Sequence, residues 1–417
     1  MTSNMENLVR KAEERCKKQF ELIDQTAFAN TERVLNAFRA ERVSEACFAG
    51  TTGYGYDDLG RETLDRIYAR VFDTESAIVR IGFVNGTHAL TAALFALAKP
   101  GEHILSATGL PYDTLQQAIG IHDEVFGSLR FYGIGYDEVS LTDQGVPNLP
   151  AIKEACKKIG TAAVIIQRSR GYEDRKALSI AEIASIVQAV KSVNPGIFVM
   201  VDNCYGEFTE TIEPGSIGVD LLAGSLIKNP GGGLAPSGGY IAGKAELVER
   251  AAVRLTTPGI GGECGATLGN NRSLFQGLFL APHTTAQALK TAVFCAALMS
   301  EIGIESFPGV DDPRSDIIQT VRLGNEERMR CFCRGIQMGA PVDSFVTPEP
   351  WAMPGYEDPV IMAAGAFIQG SSIELSADGP IRLPYNVYLQ GGLTYEAGKL
   401  GVIMAAEEIL KMENRIC

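Results

Sequence analysis

Apolar positions recur along the chain in two rhythms, and the change of rhythm divides it. Over residues 1–48 they follow helical spacing, with Leu8, Ala12 and Cys16 on one face and Val34, Leu35 and Phe38 on another, which predicts two helices. From Ala77 to Gly243 short apolar runs alternate with helical stretches: AIVRIGFV, HILS, FYGI, AAVIIQ, IFVMV, LLAG and YIAG. Strands that are apolar throughout are covered on both faces, so these runs predict a parallel sheet flanked by helices, with GGYIAG as a returning strand. A long helix is expected from Thr284 to Ile302, after a glycine-rich connection over 259–283. Past Pro308 strands and helices mix: DIIQTVRL, a helix over 325–338, VDSFV, the pair VIMAAGAFIQ and SSIELS, NVYLQ, and a last helix over 395–412.

Length turns this pattern into domains. A single hydrophobic core serves about 250–300 residues, and the chain has 417. The expectation is an α/β architecture in three parts: amino-terminal helices over 1–48 packing with the small domain or a partner subunit, a large domain over 49–305, and a smaller α+β domain over 306–417. A net charge of −13 argues against nucleic acid or an anionic membrane as the main partner. No run of 18 apolar residues is present, so no membrane-spanning helix is expected. Nine cysteines without a repeated CxxC spacing indicate neither a zinc site nor a disulfide framework. With a charged amino terminus that lacks the apolar core of a signal peptide, the expected location is the reducing cytoplasm.

Candidate chemistry concentrates where strands end. The run Ile197–Val201 delivers Asp202, and the next delivers Ser225 and Lys228 ahead of the turn NPGGG. An aldehyde cofactor such as pyridoxal phosphate needs an amine to condense with and a carboxylate to keep its ring nitrogen protonated. Lys228 and Asp202 supply the two. Burial of Lys228 among Leu226, Ile227 and Pro230 is expected to lower its pKa. Upstream, AIVRIGFV passes through NGTHAL into a helix, so the amides of Gly86, Thr87 and His88 sit at a helix amino terminus suited to a phosphate. GxGxxG is absent, which disfavours a nicotinamide dinucleotide. Tyr112 follows Pro111 at another strand end, where an aromatic ring can stack on a flat cofactor. In RSRGYEDR, Ser169 and Arg170 either touch cofactor or substrate or, with Arg168, pair with Glu173 and Asp174; the pairing is favoured. The loop AGTTGYGYDDLGRE, residues 49–62, is glycine-rich, aromatic and long enough to be functional.

Taken together, TTGYGYDD, NGTHAL, VDNCYGEF and SLIKNPGGG, in this order, resemble the cystathionine and methionine gamma-lyase family of fold type I pyridoxal phosphate enzymes, and most of all its divergent aluminium-resistance branch. The resemblance implies a carbon–sulfur lyase that removes a thiol from an amino acid by β- or γ-elimination. An aminotransferase on the same fold, or a binding protein that has lost activity, stays open as an alternative. Under the resemblance Lys228 carries the cofactor and moves protons, Asp202 holds the ring nitrogen, and Tyr112 stacks on the ring and assists proton transfer. Gly86, Thr87, His88 and Ser225 bind the phosphate, although Ile227 stands where the family usually has threonine. Tyr56 and Arg61, with Tyr54 an alternative, reach the phosphate of a neighbouring subunit, so the resemblance implies at least a dimer and favours a homotetramer. Arg382, set between two prolines, is assigned the substrate carboxylate.

Overall fold

In the computed structural model, which describes residues 3–123, 125–353 and 358–413, one helix, α1 (Ser3–Ala40), opens the chain. Seven strands follow: β1 (Ser76–Arg80), β2 (His103–Ser106), β3 (Gly135–Glu138), β4 (Thr161–Gln167), β5 (Phe198–Asp202), β6 (Leu221–Ser225) and β7 (Gly239–Gly243). They form one sheet in the order β1-β7-β6-β5-β4-β2-β3. Strands β2 to β6 pair in parallel, and β7 runs antiparallel to both β1 and β6. The sheet is therefore mixed, because β7 returns as the GGYIAG run predicts. Helices α2 (Leu59–Val71), α3 (Gly86–Leu97), α4 (Asp113–Ile119), α5 (Leu149–Ala155), α6 (Ile180–Val193) and α7 (Ala245–Leu255) connect or flank these strands. Along β5, Val199 and Val201 join one apolar cluster with Phe72 and Ile183, while Met200 joins another with Leu90 and Ala251. Both faces are covered. Polar side chains then collect at strand ends, where Gln167, Asp202 and Ser225 stand.

Helix α8 (Asn271–Glu301) leads to a second sheet. Its strands are β8 (Glu305–Phe307), β9 (Gln319–Arg322), β10 (Val360–Ala363), β11 (Leu375–Pro380) and β12 (Asn386–Gly391), all antiparallel in the order β10-β11-β12-β9-β8. Leu375, Ala377, Val387 and Leu389 pack with Phe332 and Ile336 of α9 (Glu326–Met338) and Val402 of α10 (Tyr395–Met412). The alternate residues Ser376, Asp378, Asn386 and Gln390 are polar yet buried. This polar face meets the first sheet's loops: the Tyr388 hydroxyl donates to the Tyr172 carbonyl at 2.7 Å.

Several elements differ from the sequence reading. The two helices expected over 1–48 are a single 38-residue helix, with a short 3-10 turn at Glu45–Phe48. No proline or glycine interrupts Ser3–Ala40, and the change of apolar face reflects two different cores: Met5, Ala12 and Cys16 enter one, Val34 and Ala37 another. Helix α8 begins at Asn271, not Thr284, and contains Gly277 and Pro282. Gly277 is required there because a Cβ would lie 2.3 Å from the Gly231 carbonyl oxygen. FYGI lies in a turn that precedes β3, VDSFV forms no strand, and SSIELS overlaps only the start of β11.

Candidate active site

Strands β5 and β6 lie side by side in register, with Asp202 opposite Ala223. Past β5 the chain turns through Cys204 and Tyr205, the latter at φ +70°. After β6, Ser225 leads to Lys228 and the 3-10 turn Asn229–Gly231. The two loops are tied together, since Asn229 Nδ2 donates to the carbonyls of Tyr205 at 3.0 Å and Glu207 at 2.9 Å. This brings Lys228 Nζ to 3.9 Å from the Tyr205 ring centroid. A left-handed backbone at a tyrosine is strained, and the ties to Asn229 help hold it.

Burial pushes the Asp202 carboxyl up, against the nearby Lys228 ammonium and the Cys204 N–H that donates to Oδ1 at 3.1 Å. At Lys228 burial pulls the pKa down, but Cys204, Tyr205, Asp202 and Tyr112 outweigh it and leave the amine well above an ordinary lysine. Burial also pushes the Cys204, Tyr205 and Tyr112 groups up. The expected lowering by burial is overturned in the protein alone. A cationic ring seated between the two would take Asp202 as its own partner and release the lysine from it.

The amino terminus of α3 closes one side. Asn85 caps it, its Oδ1 accepting from the His88 N–H at 2.9 Å. The His88 ring turns back, with Nδ1 accepting from the Val84 N–H at 3.2 Å, so neither group points outward as expected for a phosphate. Gly86 does sit against Ser225: a Cβ there would lie 3.1 Å from the Ser225 Cβ. Thr87 Oγ1 lies 3.1 Å from the Tyr112 hydroxyl and 3.2 Å from Thr114 Oγ1, and the Tyr112 N–H donates to Gln167 Oε1 at 3.0 Å. The structure thus gathers Gly86, Thr87, Tyr112, Asp202, Ser225 and Lys228 into one cluster at the strand ends. A cavity of about 390 Å³ adjoins it, lined by Asn85, Ile227, Ser237, Phe367 and Gln369 among others.

Other candidates lie elsewhere. Tyr54 and Tyr56 stack on each other, ring centroids 5.7 Å apart, and are 72% and 56% exposed. Arg61 is turned inward instead, donating to the carbonyls of Gly55, Gly265 and Glu263. Arg382 is half-exposed and pairs with Asp358 at 3.0 Å, outside the gathered group. Arg168 and Arg170 do not pair with Glu173 and Asp174. Arg168 binds Asn203 and Glu210, and Arg170 reaches Thr320 on the second sheet, while Arg175 takes Glu173 and Arg322 takes Asp174. Three site residues escaped the sequence reading: Gln167, Cys204 and Tyr205. The last two follow Asp202 in VDNCYGEF, where their position directly after a strand end was the available signal.

An amine, a facing carboxylate, and a helix start pressed against a serine form the donor set that pyridoxal phosphate needs: Lys228 for the aldehyde, Asp202 for the ring nitrogen, Gly86, Thr87 and Ser225 for the phosphate. The bare backbone of Gly86 leaves the cradle open. Among the described residues no cluster of His, Cys, Asp and Glu is set for a metal ion, and no helix is long and apolar enough to cross a membrane. Fold and site together define a fold type I pyridoxal phosphate enzyme. The methionine gamma-lyase family profile matches residues 5–410, and the chain belongs to that family of carbon–sulfur lyases. It is 48% identical over 392 residues to the uncharacterized protein YnbB of Bacillus subtilis strain 168, covering 94% of this chain and 93% of that one. It is also 52% identical to a crystal structure of a carbon–sulfur lyase involved in aluminum resistance from Clostridium novyi NT, with a TM-score of 0.95 over 98% of this chain and 96% of the other. The Pseudomonas putida L-methionine gamma-lyase is 28% identical over 207 residues, 49% of this chain and 47% of that enzyme.

Proposed function

We propose that the protein eliminates a thiol from a sulfur-containing amino acid, leaving an oxo acid and ammonia. The observation that carries this is the placement of Lys228 near Asp202, past the ends of neighbouring strands. Pyridoxal phosphate bound there supplies the electron sink that weakens the α C–H bond and then the C–S bond. Asp202 is the partner for its ring nitrogen, and burial beside Lys228 keeps that carboxylate in a dry, preorganised place. Lys228 is the base placed to carry the α-proton. Tyr112 lines the cleft with its hydroxyl shared with Thr87, an arrangement suited to relaying a proton. The alternative of amino-group transfer uses the same two residues, and the leaving thiol separates the readings.

The exposed Tyr54–Tyr56 pair is proposed to dock on a second copy beside its phosphate cradle, in a homodimer or a homotetramer, with buried Arg61 holding the loop that presents it. Cytoplasmic location belongs to the same proposal. The test mixes the protein with pyridoxal phosphate and a panel of methionine, cystathionine, cysteine and keto acids, and assays free thiol, oxo acid and new amino acid. Thiol release that Lys228→Ala abolishes, together with the visible absorbance of the lysine-bound cofactor, supports elimination. New amino acid without thiol makes it a transferase, and a variant that keeps the absorbance removes Lys228 from its role.

A further inference from the structure

Arg170 stands three residues past Gln167, the end of β4, whose register partner on β5 is Asp202. The next residue, Gly171, approaches Tyr112, where a Cβ would lie 3.8 Å from the Tyr112 Cβ. The Arg170 side chain is completely buried where the loops of the first sheet meet the polar face of the second. Nη1 donates to Thr320 Oγ1 at 3.1 Å and to the Phe307 carbonyl at 3.4 Å, and the Phe307 ring lies 4.9 Å from the guanidinium carbon. Nε and Nη2 have no hydrogen-bond partner among the described residues. These two nitrogens form one edge of the guanidinium, the edge that grips a carboxylate with two parallel bonds.

The carboxylate at hand does not take that edge. Asp316 Oδ2 is 3.8 Å from Nε, beyond hydrogen-bond reach, and accepts from Ser169 Oγ at 2.9 Å, while Oδ1 accepts from the Ile318 N–H at 3.1 Å. Of the nearby arginines, Arg175 is engaged on Glu173 and the Ser169 carbonyl and Arg322 on Asp174 and Glu305, while Arg314 bonds Gln319 and the Pro308 and Gly309 carbonyls through Nη2 and leaves its Nε and Nη1 unpaired among the described residues. A buried guanidinium with two unmet N–H groups is costly unless an anion completes it.

We infer that Arg170 binds the α-carboxylate of the amino-acid substrate, the place that the family resemblance gives to Arg382. The assignment rests on the amino-acid lyase reading above. It moves the carboxylate contact from the second sheet's hairpin to the loop beside Tyr112, and it ties substrate binding to the junction of the two sheets through Thr320 and Phe307.

The test uses the holoenzyme and two probes, L-methionine and L-methioninamide, which lacks the carboxylate charge, each titrated by the change in cofactor absorbance. Arg170→Gln should weaken methionine by at least about 30-fold, the scale of removing one partner of a desolvated charge pair, and leave the amide within a few-fold. Arg170→Lys, which keeps the charge and loses the fork, should lie between, and it carries the test should Arg170→Gln fail to fold. Equal weakening of both probes overturns the assignment, as does selective loss of methionine in Arg382→Gln. A wild-type protein whose absorbance responds to neither probe nor to any other amino acid overturns the lyase reading itself, and the assignment with it.

Discussion

The ε-amine of Lys228 lies 3.9 Å from the centroid of the Tyr205 ring, and the tyrosine is held there by a left-handed backbone. An ammonium over an aromatic face gains about 0.5–2 kcal/mol, more when desolvated. Tyr205→Leu should therefore lower the Lys228 pKa in the cofactor-free protein by up to about one pH unit, while Tyr205→Phe leaves it nearly unchanged. The pH dependence of Lys228 acylation, followed by peptide mass spectrometry, reads this directly. Equal profiles for the Leu and Phe variants would show that the ring face does nothing.

Asp202 is buried against Lys228 and bonded by the Cys204 N–H, so its loss should be chemical before it is structural. Asp202→Asn is expected to lower turnover by at least about 100-fold, the scale of removing one preorganised electrostatic partner. Its melting temperature should stay within a few degrees of the parent. Turnover and a thermal melt on the same sample decide it.

Burial pushes Glu207 up to about 8, although the Tyr240 hydroxyl donates to Oε1 at 2.9 Å; Glu213 and Lys228 are the other charged groups acting on it. Folding therefore takes up a proton at this site between the ordinary glutamate value of 4.5 and about 8. The stability that the raised pKa contributes is complete below 4.5 and is lost as pH rises to 8. Glu207→Gln, which mimics the protonated form, should flatten this slope, so the variant gains on the parent as pH rises. Melting curves at pH 5 and pH 8.5 test the sign.

Gly277 of α8 faces the Gly231 carbonyl of the turn after Lys228, with 2.3 Å available to a Cβ. Gly277→Ala must push the helix and the NPGGG turn apart, at about 1–3 kcal/mol. Because that turn follows Lys228 directly, cofactor affinity should fall along with the melting temperature. A stable variant with normal affinity would mean that the turn does not depend on the helix.

The first sheet was legible because strands buried on both faces write themselves as unbroken apolar runs, as IFVMV does for β5. The strand-end residues Asp202 and Lys228 were legible for the same reason, being polar groups where a run stops. Helix α8 was not, because Gly277 and Pro282 mimic a loop when the close approach that explains Gly277 is out of sight. Tyr205 was missed because its role depends on a backbone twist and on a lysine in another loop. Arg382 looked well placed between prolines, and at this hairpin it is half-exposed and paired with Asp358. Arg170 pairs across the molecule, with Thr320, which sequence proximity could not reveal.

Helices α1 and α8 run antiparallel, with Arg15 joined to Glu301 and Asp24 to Lys290, and each contributes both to the apolar core of the second sheet and to the cluster on the Val199 face of the first. Two beams thus join the core of one sheet to that of the other. A molecule braced in this way has no seam: heat should melt both sheets in one step, and a fragment ending before residue 271 should fail to fold, since it would lose one beam and strip the other. Evolution can remodel the loops of such a scaffold freely, but it must inherit the frame whole.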